Sequence, residues 1–256
     1  MGWLWDNFSL FLLVMVRVWG VLATSPVFGA RFLPASVRAS LVLFLSVFLT
    51  PLVPRPTMPV TDLFPYFFFL IRELALGLAM GYTANLLFVG LQLAGQILDT
   101  EMGFGITNVI DPLFGQPVPL VGNFQYLIGL LIFLGINGHH LILSALAESF
   151  QALPPAGWYF TDGLVSFLVD LVGEVFLVAV QLALPAAGGL FLTTVALGLL
   201  SRAVPQMNVF VVGLPLKIIV GSVLLAVTLP LYTHVLGIML EGLAGHLERF
   251  LLLIGR

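Results

Sequence analysis

The chain has 256 residues, 60% of them hydrophobic and 8% charged, with a formal net charge of −3. Ordinary soluble domains are about 45–50% apolar and about 25% charged, so a soluble fold of this length is excluded and the chain reads as an integral membrane protein. The slightly negative balance argues against a nucleic-acid partner, and the lack of cysteine excludes disulfides, thiol catalysis and cysteine-ligated metals.

The first segment, 8–29, is apolar apart from Arg17. Asp6 is the first charge and no basic region precedes the apolar run, so the segment reads as a retained helix rather than a cleaved signal. The next uncharged run, 39–54, is trimmed by Pro51 and Pro54. It falls short of the roughly 20 residues that a spanning helix needs, and the expectation is a short helix buried against its neighbours. Segment 63–98 is too long for one simple span, and Arg72-Glu73 is expected to interrupt it. Gly77 and Gly81 form a small-xxx-small face suited to close helix contact. Arg17, Arg72, Glu73 and Glu174 all lie in or beside apolar runs. An arginine at a helix centre costs roughly 2.5–3.5 kcal/mol on insertion scales, so each charge wants a partner or water. Arg72 and Glu73 are adjacent and do not face each other on a helix, so they are expected to pair with other elements or other chains.

Residues 99–119 change character. Gly103, Gly105, Gly115, Pro112, Pro117 and Pro119 disfavour a long regular helix, yet Met102, Phe104, Ile106, Val109, Ile110 and Phe114 are bulky and apolar. A glycine-jointed loop of this kind suits a deformable plug. Methionine adapts its shape cheaply, and apolar constrictions block ions by dewetting. The plainer alternative is a re-entrant or surface loop that packs on its own helices. Run 124–147 is long enough to span and contains Asn137-Gly138-His139-His140. Adjacent histidines on a helix point about 100° apart. No third ligand lies within a turn, so no metal or heme site is expected, and no catalytic triad or phosphate loop is visible. The tetrapeptide reads as the end or bend of a helix, with His139 bonded to a backbone carbonyl.

Segment 175–201 holds Pro185 and Gly188-Gly189, which predict a kink. The polar stretch 201–217 follows, with Arg202, Pro205, Gln206, Asn208, Pro215 and Lys217. Its prolines are expected to stop the helix at fixed points, and its amides can both donate and accept hydrogen bonds. Such a stretch is tolerated at membrane depth only where protein or a water-filled cavity surrounds it, so it reads as a protein-contact or pore-lining element. A last run, 218–240, completes about six irregular, kinked or tilted helical elements in an all-α membrane protein. With no internal repeat and no flexible linker, the chain reads as one domain, 1–256. If there are six crossings, Arg31, Arg38, Arg202 and Lys217 share one side against Arg55, Arg249 and Arg256, and the positive-inside rule favours the former as cytoplasmic.

Several pieces in order resemble the FliR/SctT family of type III export gate proteins. They are Ser25-Pro26-Val27-Phe28-Gly29 with Pro34 and Arg38, Arg72-Glu73 with Gly77, Met102-Gly103-Phe104 through Asp111-Pro112, Asn137-Gly138-His139-His140, Gln181 to Pro185, and Arg202 to Lys217. The resemblance covers nearly the whole chain, and the wording of Asp99–Pro119 is more like the flagellar than the virulence branch. It implies helical hairpins within a cone-shaped export gate in the bacterial cytoplasmic membrane, at the flagellar basal body. The partners implied are FliP and FliQ subunits, FlhB at the entrance, membrane lipids, and exported flagellar proteins in transit. It also implies a plug around Met102–Phe114, a passive conduit rather than an enzyme, and no cofactor. Arg17, Arg72, Glu73, Asn137, His139, Arg202, Gln206, Asn208 and Lys217 would then be subunit contacts or buried polar groups, with Arg72, Glu73, Arg202 and Lys217 expected to fix subunit contacts. A virulence-secretion homologue and a stand-alone small-solute transporter are the alternatives.

Overall fold

The computed structural model describes residues 2–29, 33–55, 63–104, 119–157, 162–206 and 208–254. Backbone groups cannot be left unpaired in hydrocarbon, so an apolar chain of this length resolves into helices. Among the described residues these are α1 (Gly2–Thr24), α2 (Ala35–Leu49), a 3₁₀ turn (Thr50–Leu52), α3 (Leu63–Met102), α4 (Leu120–Gly135), α5 (Gly138–Ala152), α6 (Asp162–Ala203) and α7 (Val209–Ile254). Five helices are long and apolar enough to cross a membrane, and the pair α4 and α5, bent by 68° at its break, is a sixth candidate. Hydroxyl side chains are accommodated by bonding back one turn. Ser46 donates to the Val42 carbonyl (2.6 Å), Thr83 to Ala79 (2.9 Å) and Thr194 to Leu190 (3.0 Å).

Three expectations are corrected. Arg72-Glu73 does not interrupt its segment, because α3 runs unbroken for 40 residues; the carboxylate of Glu73 finds a partner inside the protein, described below. The stretch 201–217 is not stopped by both prolines. Pro205 lies in the turn after α6, but Pro215 sits inside α7, which already starts at Val209. Finally, α2 is neither too short to span nor mostly buried against neighbours: with its 3₁₀ turn it forms the 18-residue stretch Ala35–Leu52, one of the five candidate spans. Leu43, Phe44, Val47 and Phe48 are all exposed, Phe44 by 69%. The composition of that run shows only that its surface avoids water, not what covers it.

The chain divides into two compact units. One comprises 1–86, 133–172 and 240–256, and the other 87–132 and 173–239. In the first unit, α1 and α3 cross at close range. A Cβ on Gly77 would fall on the Arg17 carbonyl, and one on Gly20 would lie 2.8 Å from the Leu78 nitrogen. A Cβ on Gly81 would likewise fall on the Val21 carbonyl, so both members of the predicted small-xxx-small face, Gly77 and Gly81, lie against α1, which can approach that closely because Gly20 is also glycine. In the second unit, Leu98, Met102, Val121, Ala186 and Leu190 form a buried cluster, with Phe104 and Leu224 packed on it.

Candidate functional site

The first unit is centred on a buried ion pair. Arg17 and Glu73 are both fully buried, and Arg17 Nε donates to Glu73 Oε2 at 2.6 Å. Arg17 Nη1 donates to the Ser149 carbonyl (3.0 Å) and to its hydroxyl (3.2 Å), while Nη2 donates to the Leu153 carbonyl (3.0 Å). The guanidinium also lies 4.3 Å from the centre of the Phe150 ring. Glu73 Oε1 accepts from the Ala156 N–H (3.1 Å), whose residue holds the left-handed φ of 62°. The planar fork of an arginine suits this task, since it reaches a carboxylate and two carbonyls at once. The centre therefore ties α1, α3, α5 and the turn after α5 together. Arg72, by contrast, turns toward Phe69, 6.0 Å from its ring centre.

The second feature is the root of the glycine-rich segment. α3 ends in a Schellman stop: Phe104 N–H donates to the Asp99 carbonyl (3.0 Å), Gly103 N–H to Thr100 (3.2 Å), and Gly103 has φ 88°. That left-handed position is the reason a glycine stands there. Met102 is buried and lies directly against Gly221, so this residue of the expected plug is an anchor in the packed core. Phe104 packs on the same cluster. The remaining expected plug residues, Gly105, Ile106, Val109, Ile110 and Phe114, lie outside the described residues.

At Asn137 the backbone takes φ 61° and separates α4 from α5, as the Asn-Gly signal predicts. The expected bond from His139 to a backbone carbonyl is not made by its buried Nδ1, which has no partner among the described residues. The turn closes on itself through its backbone: Asn137 N–H donates to Leu134 O (3.1 Å) and His140 N–H to Asn137 O (2.9 Å). The two imidazoles lie 4.3 Å apart. Around the turn between α6 and α7, Arg202 at the end of α6 is exposed, as are Gln206 and Asn208 in the turn, while Lys217, in the third turn of α7, is half-buried. Asn208 caps α7, its side-chain oxygen accepting from the N–H groups of Phe210 (3.1 Å) and Val211 (3.4 Å). A cavity of about 300 Å³ opens beside this turn, lined by Gly103, Thr194, Phe210, Gly213 and Lys217 among others.

Residues 8–243 match the family of bacterial export proteins, family 1. The chain belongs to this family. It is 38% identical over 229 residues to the flagellar biosynthetic protein FliR of Bacillus subtilis (strain 168), covering 87% of this chain and 86% of that one. It is 31% identical over 230 residues to FliR of Escherichia coli (strain K12), covering 90% and 87%. With FliR of Aquifex aeolicus (strain VF5) the figures are 31% over 222 residues, covering 87% and 86%.

Within this export protein, two polar constellations carry no motif in the sequence. One is the set of carbonyls around Arg17, which backbone groups supply. The other involves Asp99, whose carboxylate accepts from the N–H of Val121 (2.9 and 3.1 Å) and of Gly122 (3.2 Å) at the start of α4. In the same unit Gln125 Nε2 donates to the Tyr232 hydroxyl (2.8 Å), which donates to the Leu182 carbonyl (3.2 Å), linking α4, α7 and α6. An uncharged glutamine and tyrosine in apolar runs were the available signal for that link, since buried amides and phenols need partners.

Proposed function

We propose that the chain is a subunit of the flagellar type III protein export gate, forming part of a gated conduit for unfolded flagellar proteins. It sits in the bacterial cytoplasmic membrane at the flagellar basal body and works as one gate domain over its full length. FliP and FliQ subunits, with FlhB at the entrance, are its partners. The segment 102–114 is the plug, rooted by Met102 in the core and closing the conduit against ions until a substrate arrives. The chain is passive; the energy for export comes from other parts of the machine.

The observation that carries this reading is uncovered apolar length. The apolar stretches of α6 and α7 comprise 38 and 31 residues, or about 57 and 46 Å at the helical rise of 1.5 Å per residue. The hydrocarbon core of a bilayer is about 30 Å thick. Much of that length is bare: Phe191, Leu199, Phe210, Val211, Val223 and Val227 are all exposed. Lipid covers one bilayer thickness of an upright helix, and the excess calls for other protein. The name shared by the FliR relatives supports a flagellar partner set for that surface.

The plug reading is tested by deleting Gly103–Asn108. The deleted chain is expected to co-purify with its membrane partners as the intact chain does, while ion conductance through membranes carrying the assembled complex rises. Unchanged conductance in an assembled complex rejects the plug. A stable particle of this chain alone, with no heterologous partner, rejects the gate.

A further inference from the structure

We infer that Lys217 is the docking point for an acidic side chain on a helix of another gate subunit, seated in the apolar cavity where α6 ends and α7 begins; this rests on the gate reading above. The cavity, of about 300 Å³, belongs wholly to the second unit. Leu197 of α6 with Val209 and Leu214 of α7 make its wall apolar, and Lys217 is the one charged residue among those described that line it. Lys217 is half-buried and makes no hydrogen bond or ion pair among the described residues. The two helices cannot supply the counter-charge over this stretch, because residues 175–240 include Arg202 and Lys217 but no aspartate or glutamate. Asp99, in the same unit, already spends its carboxylate on the N–H groups of Val121 and Gly122. An ammonium held against apolar walls at membrane depth draws an anion or water.

Shape and length say that the anion comes on protein. Gly198, on the α6 side of the cavity, has nothing within 4 Å of an added Cβ, so a neighbouring backbone can come close there. The uncharged run 218–240 that follows Lys217 is about 34 Å long at the helical rise of 1.5 Å per residue, against a hydrocarbon core of about 30 Å. If lipid covers that run, the cavity lies beyond the hydrocarbon and its apolar wall needs protein; Phe210, which also lines it, is 76% exposed. If lipid instead covers the start of α7, Lys217 stands about 12 Å along the helix from Val209, inside the hydrocarbon and away from headgroups. A lipid phosphate leaves the wall bare in the first placement and is out of reach in the second. A carboxylate on an otherwise apolar helix satisfies both the cation and the wall in either.

The experiment purifies the assembled complex through a partner subunit and reads the recovery of this chain relative to that subunit. Lys217→Arg keeps the charge and is expected to keep recovery. Lys217→Met keeps the apolar stem without the charge and is expected to lower recovery several-fold. Lys217→Glu sets like charges against each other and is expected to lower it about tenfold or more. Carbodiimide condenses an amine and a touching carboxylate into an amide with loss of water. Applied to the unaltered complex, it is expected to join Lys217 to an aspartate or glutamate of another chain, identified by peptide mass spectrometry. Lysine at that acid, combined with Lys217→Glu, is then expected to restore recovery. Full recovery of Lys217→Glu overturns the contact, and so does equal loss from Lys217→Arg and Lys217→Met, because an ion pair tolerates arginine. A link to Glu101 or Asp111 of the same chain overturns it in favour of an internal pair. Unchanged recovery of Lys217→Met with loss of bound anionic phospholipid gives the cavity to lipid and overturns it as well. Should the variants fail to fold, the carbodiimide result on the unaltered complex decides, and absence of a link between chains overturns the contact. If the unaltered chain brings down no other subunit, the gate reading falls first.

Discussion

At the scale of single residues, Arg17 and Glu73 illustrate how a costly group becomes a structural one. Each is a charge in an apolar run and would be expensive to bury alone. Together, with the Ser149 and Leu153 carbonyls and the Ala156 N–H, they form a satisfied set. Replacing the pair with hydrophobic residues would not obviously weaken a protein, but removing one partner does, typically by about 3–5 kcal/mol, because the other charge is left buried and uncompensated. Glu73→Ala is therefore expected to lower the melting temperature of the solubilised complex steeply, and to do so more than Arg72→Ala. Comparable melting for the two variants would mean that the ion pair contributes little to the first unit.

Among elements, the contrast between glycines with and without room decides what each helix face is for. Gly20 and Gly77 lie where α1 and α3 touch backbone to backbone. Gly77→Leu forces that crossing apart and is expected to abolish folded protein, measured as loss of the monodisperse peak on size-exclusion chromatography. Gly188 in α6 has nothing within 4 Å of an added Cβ, so the same enlargement there strains no contact inside the chain. Pro215 gives a related lesson. It removes one backbone donor from α7, but the helix continues because Asn208 caps its first turn and the apolar residues beyond favour a helix in lipid or protein. Proline punctuates a helix most reliably where the neighbouring residues also favour stopping, as in the turn at Pro205.

For the whole molecule, the bare apolar length of α6 and α7 is the feature that points outward. If partner helices cover it, open glycines on those faces are contact points in the assembly. Gly188→Leu is expected to leave the isolated chain folded and to reduce its recovery in the purified complex by about tenfold or more, since a misfit of a few kcal/mol at a packed interface reaches that factor. The readout is the ratio of this chain to its partners after affinity purification through a partner subunit. Full recovery would place Gly188 on a lipid-facing surface.

The class of the protein, the bend at Asn137 and most of the candidate spans were legible in the amino-acid sequence, but the run at 39–54 read as too short to cross although Ala35–Leu52 is long and apolar enough. Composition excludes water from most of the surface, and backbone chemistry such as an Asn-Gly turn or a glycine at a helix end acts within a few residues. The end of α3 at Gly103 was recognisable for the same reason. Only the tertiary structure decided who meets whom. Arg17 and Glu73 stand 56 positions apart, and Asp99 acts on Val121 and Gly122 from the far side of that segment. Pro51 and Pro54 made α2 read as a short buried helix, yet only Val42, Ser46 and Leu49 are buried and Leu43, Phe44, Val47 and Phe48 are exposed, because prolines mark where a helix ends but not what lies against it. An acid at the edge of a loop looks like local turn chemistry until the chain path brings a second helix end within hydrogen-bond reach.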